Sequence, residues 1–345
     1  MQGVLFNMQE AETENWYWYK LTGQGEICLY RVFGTLPEVS VPETLFGKTV
    51  TGLGSYCFSE TEKAGDFRVC SDTLMGQEAE VLFQKLLLQK KIRCLCGEYL
   101  EKVSLPKSMK AIGNCCFYRC SRLTGLTVGN GLSEIGSDAF MNCIRLREIV
   151  VLGGVTEPSG LKQILGQRPL ETRAEFIAGQ ETEAVLLYPE YSETYDEIGP
   201  AHIFELNIAG EGFRARQCFR EGVVDLAQYD TVFVQAQAGE SVRTLCYMAG
   251  FRLFYPAGLK EESKQRYEDY LKENAMQVME VLVKEQDLKM LQFFGEEGYL
   301  GSVEMKKGAQ LAASGDWTEG AALLLQMQQK WHGSEKKKKY SFDAF

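Results

Sequence analysis

Two stretches of this chain overlay after a shift of 23 residues. Ile112, Gly113, Phe117, Cys120 and Leu123 recur as Ile135, Gly136, Phe140, Cys143 and Leu146, a frame of the form I-G-x-x-x-F-x-x-C-x-x-L. The frame runs on into Leu123-x-x-Leu126-x-Val128 and Leu146-x-x-Ile149-x-Val151, and one step back into Leu100-x-x-Val103-x-Leu105. Apolar residues at alternate positions are what a half-buried strand requires. A single 23-residue coil cannot bury its own apolar face. Copies must stack, so that Ile, Phe, Cys and Leu form continuous columns. The period therefore predicts a short solenoid with one strand per coil.

A more distant copy precedes these. Leu36-x-x-Val39-x-Val41-Pro42 matches the strand, and Val50-x-x-Leu53-Gly54-x-x-x-Phe58 matches the part of the frame after it. Between Phe58 and Leu100 the spacing breaks, and an amphipathic segment from about Gln77 to Lys91 carries Leu82, Leu86 and Leu87 on one helical face. We read this as an expanded, irregular repeat. Trp16-Tyr17-Trp18-Tyr19 and Ile27-Cys28-Leu29-Tyr30 read as a hairpin that caps the open end of the stack. The glycine after each repeat Ile is expected to form a corner at positive φ.

The phrases Leu105-Pro106-x-x-Met109-x-x-Ile112-Gly113-x-x-x-Phe117-x-x-Cys120-x-x-Leu123 and Val41-Pro42-Glu43-Thr44 resemble the BspA, or treponemal, type of bacterial leucine-rich repeat. The resemblance covers about residues 24 to 152. It implies a binding role, and members of the family are often secreted or surface-anchored adhesion proteins.

Composition narrows the function classes. The net charge is −10, from 37 basic and 47 acidic residues. Such a chain is repelled by phosphate backbones, so no nucleic-acid partner is expected. Lys336 to Lys339 form a basic run, read as a solvated segment. No window is long and apolar enough to span a membrane. The start, Met1 to Asn7, lacks the basic and apolar regions of a secretory leader, so the expected compartment is the cytoplasm. Eleven cysteines are then expected as thiols. Cys94, Cys96, Cys115, Cys116, Cys120 and Cys143 lack the paired C-x-x-C knuckles of a zinc site, and a packing role fits Cys120 and Cys143, which sit in the repeat's apolar column. No metal or other cofactor is expected.

Catalytic motifs fail in turn. Gly47-Lys48-Thr49 ends like a phosphate-binding loop, but Pro42 stands where the first glycine belongs, so Gly47 reads as a turn residue. Only His202 and His332 could act as histidine bases. His202, Cys218 and Asp230 can be written as a triad, with no local support from spacing.

Beyond about residue 170 the repeat is lost. Residues 170–256 read as a small α/β or β-rich module, with strands at Glu183 to Tyr188 and His202 to Ile208 and a helical look at Ser241 to Ala249. Arg214, Arg216 and Arg220 could grip an acidic group on a partner, or pair locally with Glu211, Glu221 and Asp225. Residues 260–332 read as helices divided by glycines. A weak 30-residue repeat there resembles ankyrin-type helix pairs over about residues 275 to 331. A plain helical cap accounts for it equally. Residues 333–345 read as a flexible basic and aromatic tail.

The expected fold class is thus α/β and multi-domain, with a leucine-rich-repeat solenoid and hairpin cap over 1–155, the middle module and a helical-pair tail. The expected function is non-catalytic protein–protein interaction or scaffolding, with binding residues Lys102, Ser104, Thr127 and Glu148 on the solenoid face and Arg214 and Arg216 in the module. Alternatives are an enzyme with its site around His202, Cys218 and Arg216, and a cell-surface adhesin. Nothing in the sequence names the protein partner or an oligomeric state.

Overall fold

The computed structural model describes residues 13–61, 64–198 and 202–339. The Met1 to Asn7 segment read for a leader and the aromatic end Tyr340 to Phe345 lie outside them. The fold is mixed α/β, with ten α-helices and four sheets among the described residues. The chain divides into two compact units, Met1–Asp225 and Leu226–Phe345.

The first unit carries the repeat. Its six-stranded sheet has the order Glu181–Tyr188, Thr172–Ala178, Glu148–Leu152, Gly125–Gly129, Lys102–Ser104, Glu38–Ser40. Lys102, Gly125 and Glu148 stand side by side, in parallel strands and without slip, so the 23-residue period is the sheet register itself. Glu38–Ser40 joins in the same register, as the distant first copy predicts. Thr172–Ala178 adds a further parallel strand, and Glu181–Tyr188 turns back antiparallel against it. The period does not foretell that strand, because the short helix Leu161–Gly166 lies in the connection and shifts the spacing.

A second sheet is built from the other side of each coil. Glu134–Ile135, Ala111–Ile112 and Lys48–Leu53 lie parallel, followed by Ile27–Gly34, Trp16–Leu21 and Arg68–Ser71. The predicted hairpin therefore extends this sheet. The irregular repeat supplies the helix Gln77–Leu88, whose Ala79, Phe83 and Leu86 pack on Trp16, Phe33, Val69 and Ile92.

Between the sheets run the columns. Phe58, Phe117 and Phe140 stack at 5.0 and 5.2 Å, with ring planes 7° and 8° apart. Each such contact contributes about 0.5–1.5 kcal/mol beyond the area it buries. Beside them the Cys120 thiol donates to the Phe58 carbonyl (3.2 Å) and the Cys143 thiol to that of Phe117 (3.1 Å). Burial pushes both thiols up, Cys143 to about 12. These two cysteines pack as small hydrophobes with one satisfied donor.

The repeat glycines act differently from the expectation. Gly113 and Gly136 do not have positive φ; the left-handed residues are Tyr56, Cys115 and Asp138, two positions further on, with Arg119 and Asn142 at a second corner. What the glycines provide is absence of bulk. A Cβ at Gly113 would lie 2.4 Å from Ser55 N, and one at Gly136 2.4 Å from Asn114 N, both backbone atoms of the coil before. Their amides bond that coil at 2.8 Å, to Leu53 and Ile112. At the far end, Gln167 substitutes for the missing next coil. Its side-chain amide accepts from Phe140 N (3.3 Å) and donates to Gly136 O (2.9 Å).

The rest of this unit includes a two-stranded hairpin, Ser192–Ile198 with Ile203–Ala209, which leaves Tyr195 and Phe204 exposed. Gly212–Ala215 forms a short helix before the small pair Phe219–Arg220 and Val223–Val224.

The second unit is helical among its described residues. Leu226–Ala236 holds Val232 to Val234, and Val242–Phe254, capped by Ser241, holds Phe251 to Leu253. Glu261–Glu273 and Ala275–Glu285 are separated at Asn274, and Leu288–Glu296, Ser302–Ser314 and Thr318–Lys339 follow. A buried ion pair orders its core. Arg252 grips Asp230 through two bonds (2.7 and 3.1 Å), and the Tyr267 hydroxyl donates to the same carboxylate at 2.8 Å. No described helix is long and apolar enough to cross a membrane.

Candidate functional site

Strand alternation sends Val39, Val103, Leu126, Ile149 and Ala174 inward, where all are buried. Their neighbours must then point away from the core, and two rows result. Glu38, Lys102, Gly125, Glu148 and Arg173 stand in one cross-strand line, and Ser40, Ser104, Thr127, Val150 and Glu175 in the next. At the ordinary strand spacing of about 4.8 Å, each row is a straight ladder of five positions, with side chains at all five in the second row and at all but Gly125 in the first.

The charges along the first row alternate. Lys102 Nζ meets Glu38 Oε1 at 2.9 Å. The Glu38 bond pushes the Lys102 ammonium up, aided by the charge of Glu148 on its other side. Gly125 puts no side chain between Lys102 and Glu148, and a Cβ there would make ordinary contact with the Lys102 side chain. Arg173 pairs with Glu175 at 2.8 Å, and Glu175 also accepts from Thr182 (2.7 Å). The first row balances two acids against two bases, and the second carries three hydroxyls, Val150 and Glu175. The face can offer paired charges and hydroxyls at fixed spacing to another polar surface.

The predicted residues Lys102, Ser104, Thr127 and Glu148 fall together on this face. Glu38, Ser40, Arg173 and Glu175 belong to it as well. The first two could have been found by extending the register to the distant copy. The last two lie beyond the helix that breaks the period.

Arg214 and Arg216 are placed elsewhere in the unit. Arg214 pairs with Glu211 at 3.0 Å, and Arg220 with Asp225 at 2.6 Å. Arg216 is only 3% exposed; its guanidinium donates to the carbonyls of Arg168, Leu170, Pro189 and Gly212 and lies over the Tyr191 ring. Burial pushes its pKa down to about 10. His202 sits exposed at the hairpin turn with Nδ1 2.5 Å from Glu197. Cys218 is buried, its thiol 3.4 Å from Arg214 O, and the Asp230 carboxylate is held by Arg252 and Tyr267. Among the described residues no three His, Cys, Asp or Glu side chains are grouped to hold a metal ion.

Parallel strands laid down every 23 residues, backed by Phe and Cys columns, define a leucine-rich-repeat region. More particularly, residues 89–160 match the family model for the BspA type leucine rich repeat region (6 copies), and the repeats of this chain are of that type. The match spans 72 residues, the length of three 23-residue coils. Two solved structures are similar. One is a leucine rich cell surface protein from Faecalibacterium prausnitzii, 18% identical, with a TM-score of 0.25 over 39% of this chain and 31% of that one. The other is a leucine rich repeat protein of T. pallidum, also 18% identical, with a TM-score of 0.22 over 42% of this chain and 73% of that one. The match thus spans under a third of the first of these proteins. No curated protein matches the chain in sequence.

Proposed function

We propose that this protein is a non-catalytic protein-binding scaffold that docks its partner on the ladder face of a short leucine-rich-repeat solenoid. The observation that carries the reading is the pair of outward rows, in which Lys102, Ser104, Thr127 and Glu148 share one rigid surface with Glu38, Arg173 and Glu175. A sheet fixes the backbone that carries these side chains, so only their rotamers remain to be ordered on binding, which favours affinity through preorganisation. Alternating charge suits a protein surface of mixed sign and disfavours a polyanion.

The helical unit supports a second contact in the same scaffold. Its last four helices form two successive pairs; Ala275 to Ser302 is 27 residues and Leu288 to Thr318 is 30. That near-repeat is the support for an ankyrin-like helix-pair element. We place the protein in the cytoplasm. Buried thiols such as Cys120 and Cys143, used as hydrogen-bond donors in the repeat, support a reducing compartment. Cell fractionation checks this placement, since an adhesin would appear outside the membrane.

The test of the binding face is affinity capture of the full chain from its own cells, compared with a Lys102→Glu, Glu148→Lys double variant. The variant keeps net charge and exchanges the two central charges of the row, setting like charges beside Glu38 and Arg173, and circular dichroism checks that it is folded. Loss of specific partners, with retention by an exposed control such as Glu78→Lys on the Gln77–Leu88 helix, is the expected result. Unchanged partners would remove the ladder face from the account.

A further inference from the structure

Away from the ladder face, the first unit holds a small pocket of about 130 Å³ lined by Trp18, Arg31, Phe33, Glu60, Cys94 and Cys96. Its chemistry comes from a short extended segment. Arg93–Cys94 pairs antiparallel with Phe33 and Gly34 of the hairpin, and Leu95 N donates to Val32 O at 2.9 Å. Cys96 continues the extended backbone, with φ −149° and ψ 163°. Residues two apart on an extended strand face the same side. Leu95 therefore enters the core, fully buried, while both thiols line the pocket. Gly97 then turns the chain away at φ 56°.

The two cysteines line one pocket, and each is the chief influence on the other's protonation. Arg31, nearly buried, is anchored by the carbonyls of Ser59 and Thr61 and brings Nη1 to 3.8 Å from Cys94 Sγ. This differs from the column cysteines, whose thiols are sealed in the core and point at carbonyls. Cys94 and Cys96 are half-buried and line the same pocket.

We propose that Cys94 and Cys96 form a redox-active dithiol that exchanges with low-molecular-weight disulfides. In the first step the Cys96 thiolate attacks one sulfur of RSSR, forming a Cys96–S–S–R mixed disulfide and releasing RS⁻. In the second the Cys94 sulfur attacks Cys96 Sγ, the mixed bond breaks, and a second RS⁻ leaves, protonated by the proton that Cys94 gives up. The dithiol is oxidised by two electrons and RSSR is reduced to two RSH. The pocket is too small for a folded protein segment, which restricts the substrate to small disulfides. An extended i, i+2 pair places its Cα atoms about 6.6–6.8 Å apart, at the upper limit for a disulfide, so the oxidised form is held open to reduction.

Protonation favours the same order of events. Hydrogen bonding from Cys94 is the main cause that lowers Cys96, down to about 7, and it holds Cys94 protonated far above the usual thiol range. The charged and titratable groups facing Cys96 are Cys94, Arg31 and Arg93, with Glu60 opposing and Cys120 behind.

The test uses the reduced full chain with bis(2-hydroxyethyl) disulfide, followed by maleimide blocking, trypsin and mass spectrometry. Cleavage after Arg93 and Lys102 releases Cys94 to Lys102, which holds these two cysteines and no other. The peptide is expected to lose two hydrogens and take no maleimide, while those with Cys120 and Cys143 stay reduced. In Cys94→Ala the reaction is expected to stop at a mixed disulfide on Cys96. Alkylation of Cys96 in the unaltered chain, which needs no variant, is expected to have its pH midpoint near 7. A Cys94 to Lys102 peptide that stays reduced, or a Cys96 midpoint at the usual thiol value, overturns the proposal.

Discussion

Replacing Gly113 with Ala tests how the repeat is held together. A Cβ there would approach Ser55 N to 2.4 Å, Gly54 C to 2.6 Å and Ser55 Cα to 2.9 Å. Ordinary contacts begin near 3.4 Å, so the two coils would have to part by about 1 Å, and the obstacles are backbone atoms that no rotamer change can move. That shift stretches the bonds that tie the coils here, Gly113 N to Leu53 O (2.8 Å) and Tyr56 N to Asn114 O (3.0 Å). Two lost bonds at about 0.5–1.5 kcal/mol each, with overpacking at about 1–3 kcal/mol, give a loss of about 2–6 kcal/mol. Gly125 is the control, since a Cβ there meets only Lys102 Cγ at 3.7 Å and its φ is not positive. Gly125→Ala is expected to be neutral or to stabilise by up to about 1 kcal/mol. Hydrogen exchange read by mass spectrometry is the assay. Peptides around Phe117 should exchange at least about thirty times faster in Gly113→Ala, and up to about 10⁴ times at the upper end of that loss, with the helical unit unchanged. Gly113→Asn separates the two possible roles of the glycine. If close approach governs, Asn is as damaging as Ala. If Asn is tolerated while Ala is not, the corner needs left-handed backbone and the reasoning fails.

Three further outcomes rest on the same packing. Phe117→Ala, in the middle of the aromatic column, should cost about 3–5 kcal/mol in urea unfolding, and a cost under 1 kcal/mol would show that the column is not a core. Gln167→Ala removes both bonds that finish the stack and should cost about 1–3 kcal/mol, read as faster exchange at Phe140 and Gly136. Asp230→Asn strands the buried Arg252 guanidinium and should lower the stability of the helical unit by about 3–5 kcal/mol by calorimetry, whereas Tyr267→Phe costs only about 1–2 kcal/mol.

The regular part of the fold was legible because its cause is periodic. Leu126, Ile149 and Val103 recur with the sheet register, and once they are inward, Lys102, Thr127 and Glu148 must be outward. The Phe58, Phe117 and Phe140 column was readable for the same reason. What stayed hidden depends on the distance between coils or on contacts without a period. The glycine after each Ile was assigned a backbone angle, when its role is to let the next coil approach. Arg173 and Glu175 extend the ladder, yet the Leu161–Gly166 helix puts their strand out of step. Nothing local in the sequence announces that Arg216 is buried among four carbonyls, or that Gln167 finishes the stack. Weighing six cysteines together only as a zinc site passed over Cys94 and Cys96, whose i, i+2 spacing matters only on an extended strand.

The central claim, that the ladder face binds a protein, is tested most directly by photocrosslinking in the native cells. A benzoylphenylalanine at position 127, in the middle of the rows, is compared with one at position 88, exposed at the end of the Gln77–Leu88 helix. The account predicts a discrete crosslinked protein from position 127 that is lost in the Lys102→Glu, Glu148→Lys background, and none from position 88. Crosslinking from position 88 alone, or from neither position while the protein still captures partners, would contradict it.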